Sequence, residues 1–482
     1  MMMKRLAASA LFALALIAPA QAADVRNIDL GPQAQVWFAE DHTVPVVAFT
    51  ISLPGGSAHD PAGKAGLAYI TAMMLDEGAG DMSSAAFQRA LEARAIRLQA
   101  RAERDYTVIS VSALPEHAAE AMRLLQLALT RPRFDNDALT RVRTSIIQSL
   151  EQDAVEPAQV ASRAFMRGFF NGHPYGHAVN GDIASLKGIT AADLRAFAKA
   201  HWVKNGIKIA ASGDITQAAV TKLLGTTFAP LPATAVRPVR NVGRLGQPGV
   251  HVTPLPVPQP AIVFGLPGIM RSDPDFIPGY VANYILGGGG FSSRMMDELR
   301  TKRGLTYGAS TSVTPYLKAS VMVGQVGTRA SAVNQTIQVV RQTMADFARN
   351  GPTQAELDDA KTYLTGSFPM AFASNTGIAA QLGTFQRQGL DIGYLTRRNN
   401  LIQAVTLEDV RRVGRRLFDP ARLTVMVAGS PAGGPAAQRP RPPLPPETPP
   451  AQAATAKPAT PAQTPPKPVD KPATPPPSQP SR

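Results

Sequence analysis

The chain has 482 residues, a formal net charge of +14 and no cysteine. The lack of cysteine excludes a disulfide framework, thiolate metal sites and thiolate catalysis, so burial of a core must stabilise the fold. We expect no nucleic-acid partner, because no basic helix interleaved with aromatic side chains is present, and the basic surplus instead favours solubility and affinity for anionic surfaces or acidic peptides.

Residues 1–22 have the pattern of a secretory signal peptide. The basic residues Lys4 and Arg5 precede an apolar run over 6–18 and an Ala-Gln-Ala exit at 20–22. The run is too short for a membrane-spanning helix. We therefore expect cleavage after residue 22, export to the periplasm and no membrane span. Loss of Lys4 and Arg5 would lower the formal charge from +14 to +12.

The region that follows is predicted to contain one folding unit twice. Each copy starts with an apolar strand that ends in Pro-Gly and leads to a helix, with the strands at 46–53 and 261–266 and the helices from Gly66 and Pro278. An alternating strand and a long amphipathic helix come later in each copy, at 106–113 and 116–130 in the first and at 319–326 and 331–349 in the second.

The ends of the two copies match most closely. Thr190 and Thr406 are predicted hydroxyl N-caps, each with an acidic residue three positions on. Both helices lead to an apolar strand that ends in a small turn, at Gly213 and at Gly429. The two caps are 216 positions apart, and so are the two turns. Duplication of one unit explains this equal spacing.

We therefore predict an α+β fold with two tandem homologous domains, at 23–235 and 236–430, each a mostly antiparallel sheet covered by helices. Residues 431–482 are rich in Pro, Ala, Thr and Gln and have few large apolar side chains. We expect this tail to be disordered, with extended polyproline character. A solvated tail and a tether to the cell wall or to a partner both fit its composition.

Three segments resemble a known family. Residues 287–294 read Gly-Gly-Gly-Gly-Phe-Ser-Ser-Arg, residues 299–307 read Leu-Arg-Thr-Lys-Arg-Gly-Leu-Thr-Tyr, and residues 169–176 read Phe-Phe-Asn-Gly-His-Pro-Tyr-Gly. They resemble the insulinase/pitrilysin family of zinc peptidases, and in particular the bacterial relatives of the mitochondrial processing peptidase. The resemblance covers the whole region between signal and tail, and it implies one half of a clam-shell chamber built from two such chains.

The resemblance also implies where a metal helix should lie. Family members carry zinc on a His-x-x-Glu-His helix near the N-terminus, but here Tyr69, Ala72 and Met73 occupy the three ligand and base positions. We expect no metal in this chain and zinc in a partner subunit. Without zinc there is no activated water and no Lewis acid for the scissile carbonyl.

Arg300 and Tyr307 are the family's substrate-binding positions that this chain retains. The resemblance implies that both side chains reach a peptide beside the partner's zinc. Arginine can clamp a peptide carbonyl with its fork of donors, and a tyrosine hydroxyl can stabilise an oxyanion. Gly288 and Gly289 are predicted to belong to a mobile substrate loop. A phosphate cradle is disfavoured, because no Gly-Lys-Ser/Thr follows.

Other metal ligands are poorly arranged in the sequence. His173 and His177 have i, i+4 spacing, but proline and glycine between them predict a turn. The sequence from His117 to Glu120 lacks the second histidine of the metal motif. Glu151 could be the family's remaining zinc ligand, but one carboxylate cannot retain zinc alone.

Asp76 and Glu77 follow the degenerate helix directly. Adjacent helical residues point about 100° apart, so the two carboxylates are not an acid/base pair acting on one bond. We predict instead that they cap the helix.

The function expected from the resemblance is that of a non-catalytic subunit that binds peptide for a zinc-bearing homologous partner. A catalytically silent peptide-binding or scaffold protein of the cell envelope is the alternative, which retention of Arg300 and Tyr307 disfavours. A hydrolase of another class is weakly supported, because the chain lacks both a Gly-x-Ser-x-Gly motif and cysteine.

Overall fold

The computed structural model describes residues 24–430, so the predicted signal peptide at 1–22 and the predicted tail at 431–482 lie outside the described residues. The strands are β1 (Val25–Ile28), β2 (Ala34–Glu40), β3 (Val47–Pro54), β4 (Gly78–Ala79), β5 (Met82–Ser83), β6 (Arg97–Ala102), β7 (Tyr106–Ala113), β8 (Ile207–Gly213), β9 (Gly249–Thr253), β10 (Ala261–Pro267), β11 (Ala309–Pro315), β12 (Ser320–Gly327) and β13 (Thr424–Ala428).

The helices are α1 (Leu67–Met73), α2 (Ser84–Glu92), α3 (Ala118–Thr130), α4 (Asn136–Asp153), α5 (Pro157–Phe170), α6 (Ile183–Lys187), α7 (Ala191–His201), α8 (Gln217–Phe228), α9 (Phe276–Asn283), α10 (Arg294–Met296), α11 (Val333–Asn350), α12 (Gln354–Gly366), α13 (Asn375–Arg387), α14 (Tyr394–Gln403) and α15 (Leu407–Leu417). Two π-helical turns, Tyr284–Gly288 and Asp297–Thr301, extend α9 and α10. No helix within residues 24–430 is both long and apolar enough to cross a membrane.

Two large sheets confirm the prediction of an α+β fold with tandem homologous domains. The first has the strand order β1-β2-β8-β3-β7-β6 and the second β11-β12-β10-β13-β9, and β4 pairs with β5 in a small hairpin. Reading the second sheet from β9 reproduces the order of the first from β2. Each sheet is antiparallel apart from one parallel pair, β2–β8 and its counterpart β9–β13. The predicted boundary at 235/236 falls in the segment between α8 and β9, which has no helix or strand.

The matching N-caps form as predicted. The Thr190 hydroxyl accepts a hydrogen bond from the Asp193 N–H, and the Asp193 carboxylate accepts one from the Thr190 N–H. Thr406 and Asp409 make the same capping box at the start of α15. Each box satisfies backbone N–H groups that a helix start leaves unpaired, which explains why the two helices begin at equivalent positions.

One helix of each domain packs on the sheet of the other domain. Helix α5 of the first domain packs on β10 and β13 of the second, and α13 of the second packs on β3 and β8 of the first. The opposite face of each sheet lies against its own domain's core. The central strands β3 and β10 are therefore covered on both faces, which explains why their sequences are almost continuously apolar rather than alternating.

Polar side chains fix α13 on the first sheet. Gln386 Nε2 donates to the carbonyls of Gln35 and Ile209, at 3.1 and 3.0 Å. Asn375 Nδ2 donates to the Val46 carbonyl at 3.0 Å. Because these amides are buried, a shift of the helix would leave them unpaired at a cost of about 1–3 kcal/mol each. The two domains are thus joined by specific hydrogen bonds as well as by apolar packing.

Candidate functional site

Helix α1 carries the three positions where the family resemblance places metal chemistry. Ala72 is buried, Tyr69 is half-buried and packs against the first domain's core, and Met73 is 38 % exposed. None of these side chains is a good zinc ligand. Ala72 and Tyr69 pack against the core, and no pair of ligands is left on this helix surface, so the residues present do not fit zinc.

Asp60 positions this helix. Its carboxylate accepts hydrogen bonds from the N–H groups of Gly66 and Ala68, both at 2.8 Å, and so caps the start of α1. His177 Nε2 lies 3.3 Å from the same carboxylate. Burial raises the pKa of Asp60, although these hydrogen bonds act in the opposite direction. Sequence reasoning missed this cap because its six-residue separation from Gly66 matches no N-cap motif.

The prediction that Asp76 and Glu77 cap α1 is wrong. The helix ends at Met73, and both acids lie beyond it and bind other helices. Gln88 Nε2 donates to the Asp76 carboxylate at 3.0 Å. The Arg141 guanidinium donates two hydrogen bonds to the Glu77 carboxylate, at 2.8 and 2.7 Å. Burial raises the pKa of Asp76, whereas the Arg141 guanidinium lowers the pKa of Glu77. The two carboxylates therefore tie α1 to α2 and α4.

The remaining sequence candidates for metal ligands do not converge. His173 and His177 flank a 3₁₀ turn, and their Nε2 atoms lie 2.9 and 2.7 Å from the carbonyls of Arg240 and Ser57. Glu120, three residues after His117, is paired with Arg123, and Glu151 is exposed on α4. Across residues 24–430, no three His, Cys, Asp or Glu side chains are grouped so that they could hold a metal ion.

The glycine run is less loop-like than predicted. Gly287 and Gly288 belong to the π-helical turn after α9, and only Gly290 has a left-handed φ, +59°. A Cβ at Gly287 would lie 2.5 Å from the Thr311 hydroxyl oxygen of β11. Glycine is therefore required there for close packing of the turn on β11. The run is helical as far as Gly288, and its predicted role as a mobile substrate loop at Gly288 and Gly289 stays a prediction.

Tyr307 projects from an anchored segment directly before β11. The Leu305 N–H donates to the Leu299 carbonyl at 2.8 Å, and the Leu305 carbonyl accepts from Thr328 Oγ1 at 2.7 Å. On the other side, Gly308 N–H donates to Thr306 Oγ1 at 3.0 Å. The Tyr307 side chain itself is 89 % exposed. A fixed backbone thus presents a free phenol to solvent.

Arg300 lies on the π-helical turn after α10 and is exposed. Its guanidinium carbon is 4.6 Å from the ring centroid of Phe291. Within residues 24–430 Arg300 makes no ion pair, in contrast to Arg294, which makes two hydrogen bonds of 2.6 and 2.7 Å to Glu356. Arg294 is therefore structural, and Arg300 has donors available for a ligand.

Phe291 connects the two predicted residues and was not identified from the sequence. It is 76 % exposed, and together with Tyr307 it lines a cleft of about 430 Å³ at the end of the second sheet. The walls are mainly apolar, with Ile262, Met296 and Val326 among them. An exposed aromatic side chain directly after the glycine run was the signal available in the sequence. The arrangement can hold an apolar peptide side chain beside a cation and a phenol.

A second polar cluster lies where the domains meet and acts structurally. Asp105 accepts hydrogen bonds from the Tyr175 hydroxyl at 2.5 Å and from the Leu317 N–H at 3.0 Å. The Tyr175 oxygen also accepts from the Lys318 N–H at 3.2 Å. Burial raises the pKa of Asp105. These hydrogen bonds link Asp105 and Tyr175 of the first domain to Leu317 and Lys318 of the second, so the cluster joins the domains.

His201 should make stability depend on pH. Its ring centroid lies 4.9 Å from that of His59, and its Nδ1 is buried without a hydrogen-bond partner in the described range. Burial, followed by the charge of His59, lowers the pKa of His201 to about 4 from an ordinary value of 6.5. Between pH 6.5 and 4 the His201 side chain is protonated in the unfolded chain but neutral in the folded chain. The free energy of unfolding therefore decreases as the pH falls through this range.

We expect the free energy of unfolding of His201→Phe to fall less steeply than that of wild type over this pH range. The difference in slope should be at most about 1.4 kcal/mol per pH unit. Phe197→Leu is the control, because it changes packing against the same ring without removing a titrating group. Urea titrations from pH 4 to pH 7 measure both variants, and parallel profiles for His201→Phe and wild type would contradict the assignment.

Family models match most of the described range. Residues 35–182 match the model described as insulinase (peptidase family M16), and residues 188–364 match the model described as the peptidase M16 inactive domain. A solved structure described as a peptidase M16 inactive domain from Pseudomonas fluorescens is 30 % identical, has a TM-score of 0.80, and is matched over 84 % of this chain and 98 % of its own. The chain therefore belongs to the insulinase (M16) peptidase family, as the sequence resemblance indicated.

Two bacterial relatives are similar to this chain over most of its length. A Helicobacter pylori protein named non-peptidase homolog YmxG is 27 % identical over 380 residues, which are 78 % of this chain and 87 % of the relative. A Bacillus subtilis protein named uncharacterized zinc protease YmxG is 22 % identical over 386 residues, 78 % of this chain and 91 % of the relative. At the three positions of the family's metal motif this chain carries Tyr69, Ala72 and Met73.

Proposed function

We propose that this chain is an exported, non-catalytic subunit of a heterodimeric zinc metallopeptidase that binds peptide for a zinc-bearing homologous partner. The observation that carries the proposal is an asymmetry between the two domains. The first domain has no good zinc ligand at any of the three metal-motif positions, whereas the second presents Arg300, Phe291 and Tyr307 to solvent around an open cleft.

The chemistry of the exposed groups supports a role in peptide binding. The guanidinium of Arg300 can donate to a peptide carbonyl, and the cleft beside Phe291 can accept an apolar side chain. The Tyr307 hydroxyl can donate to a carbonyl oxygen that becomes negatively charged during attack. Such a donor acts only on a bond that another group cleaves, so these residues require a partner chain that supplies the catalytic machinery.

The signal pattern at residues 1–22 supports export and a periplasmic location for the proposed complex. The basic surplus of the chain is consistent with steering of acidic peptides toward the complex. A silent scaffold would need neither an unpaired Arg300 nor an exposed Tyr307, which is why the subunit role is favoured.

The chain alone is expected to bind no stoichiometric zinc and to cleave no peptide, because α1 offers no ligand pair. Elemental analysis and a quenched-fluorescence peptide assay on the mature chain measure both properties. Addition of a zinc-bearing homologue from the same organism should then give more activity than that homologue shows alone. One tightly held zinc in the isolated chain, with proteolysis sensitive to chelators, would sink the proposal.

A further inference from the structure

The two sheets differ at one edge. Beyond β2 the first sheet has an additional antiparallel strand, β1, whereas the second sheet ends at β9 within the described residues. The registers show which residues correspond. Val36 of β2 pairs with Ile209, and Val250 of β9 pairs with Val425. Val425 lies 216 positions after Ile209, which is the spacing of the two repeats. Strand β9 is therefore the counterpart of β2 without its covering strand.

The missing strand leaves apolar surface exposed. In the first domain Ile28 of β1 lies opposite Val36, which is fully buried. The counterparts on β9, Val250 and Val252, are 43 % and 47 % exposed. Both valines lie on the same face of the edge strand. Their exposure shows that this part of the sheet lacks the neighbour that covers the first sheet.

The outward-facing backbone groups of β9 also have no partner strand within residues 24–430. Gly249 donates its N–H to the Leu423 carbonyl, and the Thr253 carbonyl accepts from the Gly429 N–H, both at 3.0 Å. These alternate residues therefore face β13. Because backbone groups of successive strand residues point to opposite sides, the N–H and C=O groups of Val250 and Val252 point away from the sheet. They are arranged to pair with one more strand.

A groove runs between this edge and α11. It has a volume of about 850 Å³ and is lined by Pro248 and Gly249 from the edge and by Gln338, Arg341 and Ala345 from the helix. Arg341 is the only charged side chain among the described lining residues, and its Nε is buried without a partner there. The groove thus places one cation beside the start of the edge strand.

We propose that the outer edge of β9 binds an extended acidic segment of another protein, which adds to the sheet antiparallel to β9. A β-branched residue of that segment would lie opposite Val250, as Ile28 lies opposite Val36, and a carboxylate would pair with Arg341. Main-chain hydrogen bonds give such strand addition its affinity, and the side-chain positions give it selectivity. The site is independent of Arg300 and Tyr307.

Charge argues against the other possible occupants. The chain directly after residue 430 carries Arg439 and Arg441 before its first acid, Glu447, and is rich in proline, which cannot donate to a strand. A second copy paired through its own β9, which reads Gly-Val-His-Val-Thr, would bring no carboxylate of that strand to Arg341. An acidic partner segment satisfies Arg341 instead.

The test uses a fluorescein-labelled peptide, Asp-Val-Glu-Asn-Ile-Asp-Leu, which is residues 24–30 with the arginine replaced by glutamate. We expect fluorescence anisotropy to report binding by the mature full-length chain. Val252→Asp and Val250→Pro should each weaken it at least about tenfold, and Arg341→Gln by about tenfold or more with a reduced salt dependence. Val155→Asp, at an exposed valine in the loop before α5, is the matched control and should bind like wild type.

Three results would overturn the proposal. One is no binding of the peptide at about 1 mM, well above the range of specific recognition. Another is equal binding by Val252→Asp and Val155→Asp. The third is slow hydrogen exchange of the Val250 and Val252 amides without added peptide, since the chain's own tail or a second copy would then already cover the edge. Size-exclusion chromatography of Val252→Asp distinguishes those last two occupants.

Discussion

Replacing Tyr307 by phenylalanine is expected to lower the turnover number of the reconstituted complex by about 10²-fold or more. The variant removes only the hydroxyl, and the hydrogen bonds that anchor the backbone on both sides of the residue do not involve the side chain that is changed. If that hydroxyl stabilises negative charge in the transition state, turnover falls while assembly and zinc content stay unchanged. Steady-state kinetics with a quenched-fluorescence peptide measure the effect.

Tyr363→Phe is the matched control for this experiment. Tyr363 is also an exposed tyrosine of the second domain, at 59 %, but its ring is stacked on Tyr284 outside the cleft. Arg300→Ala should act differently, raising KM more than it lowers turnover, because a clamp on the substrate acts on ground state and transition state alike. If Tyr307→Phe and Arg300→Ala both retain wild-type kinetics, the residues are structural and the scaffold interpretation replaces the subunit one.

Phe165→Ala is expected to lower the free energy of unfolding by about 3–5 kcal/mol. Phe165 is fully buried on α5, stacks on Phe169 at 5.0 Å between ring centroids, and lies so close to β10 that a Cβ at Gly265 would be 2.6 Å from its ring. Truncation would leave a cavity beneath the helix that joins the first domain to the second sheet. Denaturant titration of wild type and variant gives the difference.

Phe291→Ala serves as the control for the stability measurement. Its side chain is mostly exposed, so truncation should change the free energy of unfolding by no more than about 0.5 kcal/mol. A loss of the same small size for Phe165→Ala would mean that α5 does not cover the second sheet as described.

The repeat was predictable because it rests on local chemistry. Thr190 and Thr406 cap their helices through residues three positions away, and strands β7 and β12 show their alternation in the sequence. Duplication then explains why β9-β13-β10-β12-β11 repeats the order β2-β8-β3-β7-β6. Caps and strand alternation depend on neighbouring residues only, which a sequence displays directly.

The exchange of α5 and α13 between the domains was not predictable. An apolar helix face indicates that the helix is covered, but not which sheet covers it. The same limit applies to Asp76 and Glu77, whose partners Gln88 and Arg141 are 12 and 64 positions away. The close packing of Gly287 on β11 was not predictable for a related reason, because it is a tertiary requirement that composition alone does not reveal.

Native mass spectrometry of this chain mixed with a zinc-bearing homologue from the same organism tests the central claim most directly. The account predicts a one-to-one complex at micromolar concentration that contains a single zinc ion, and dissociation in the gas phase should leave that ion on the homologue. Two chains that remain separate, or zinc that stays with this chain, would contradict it.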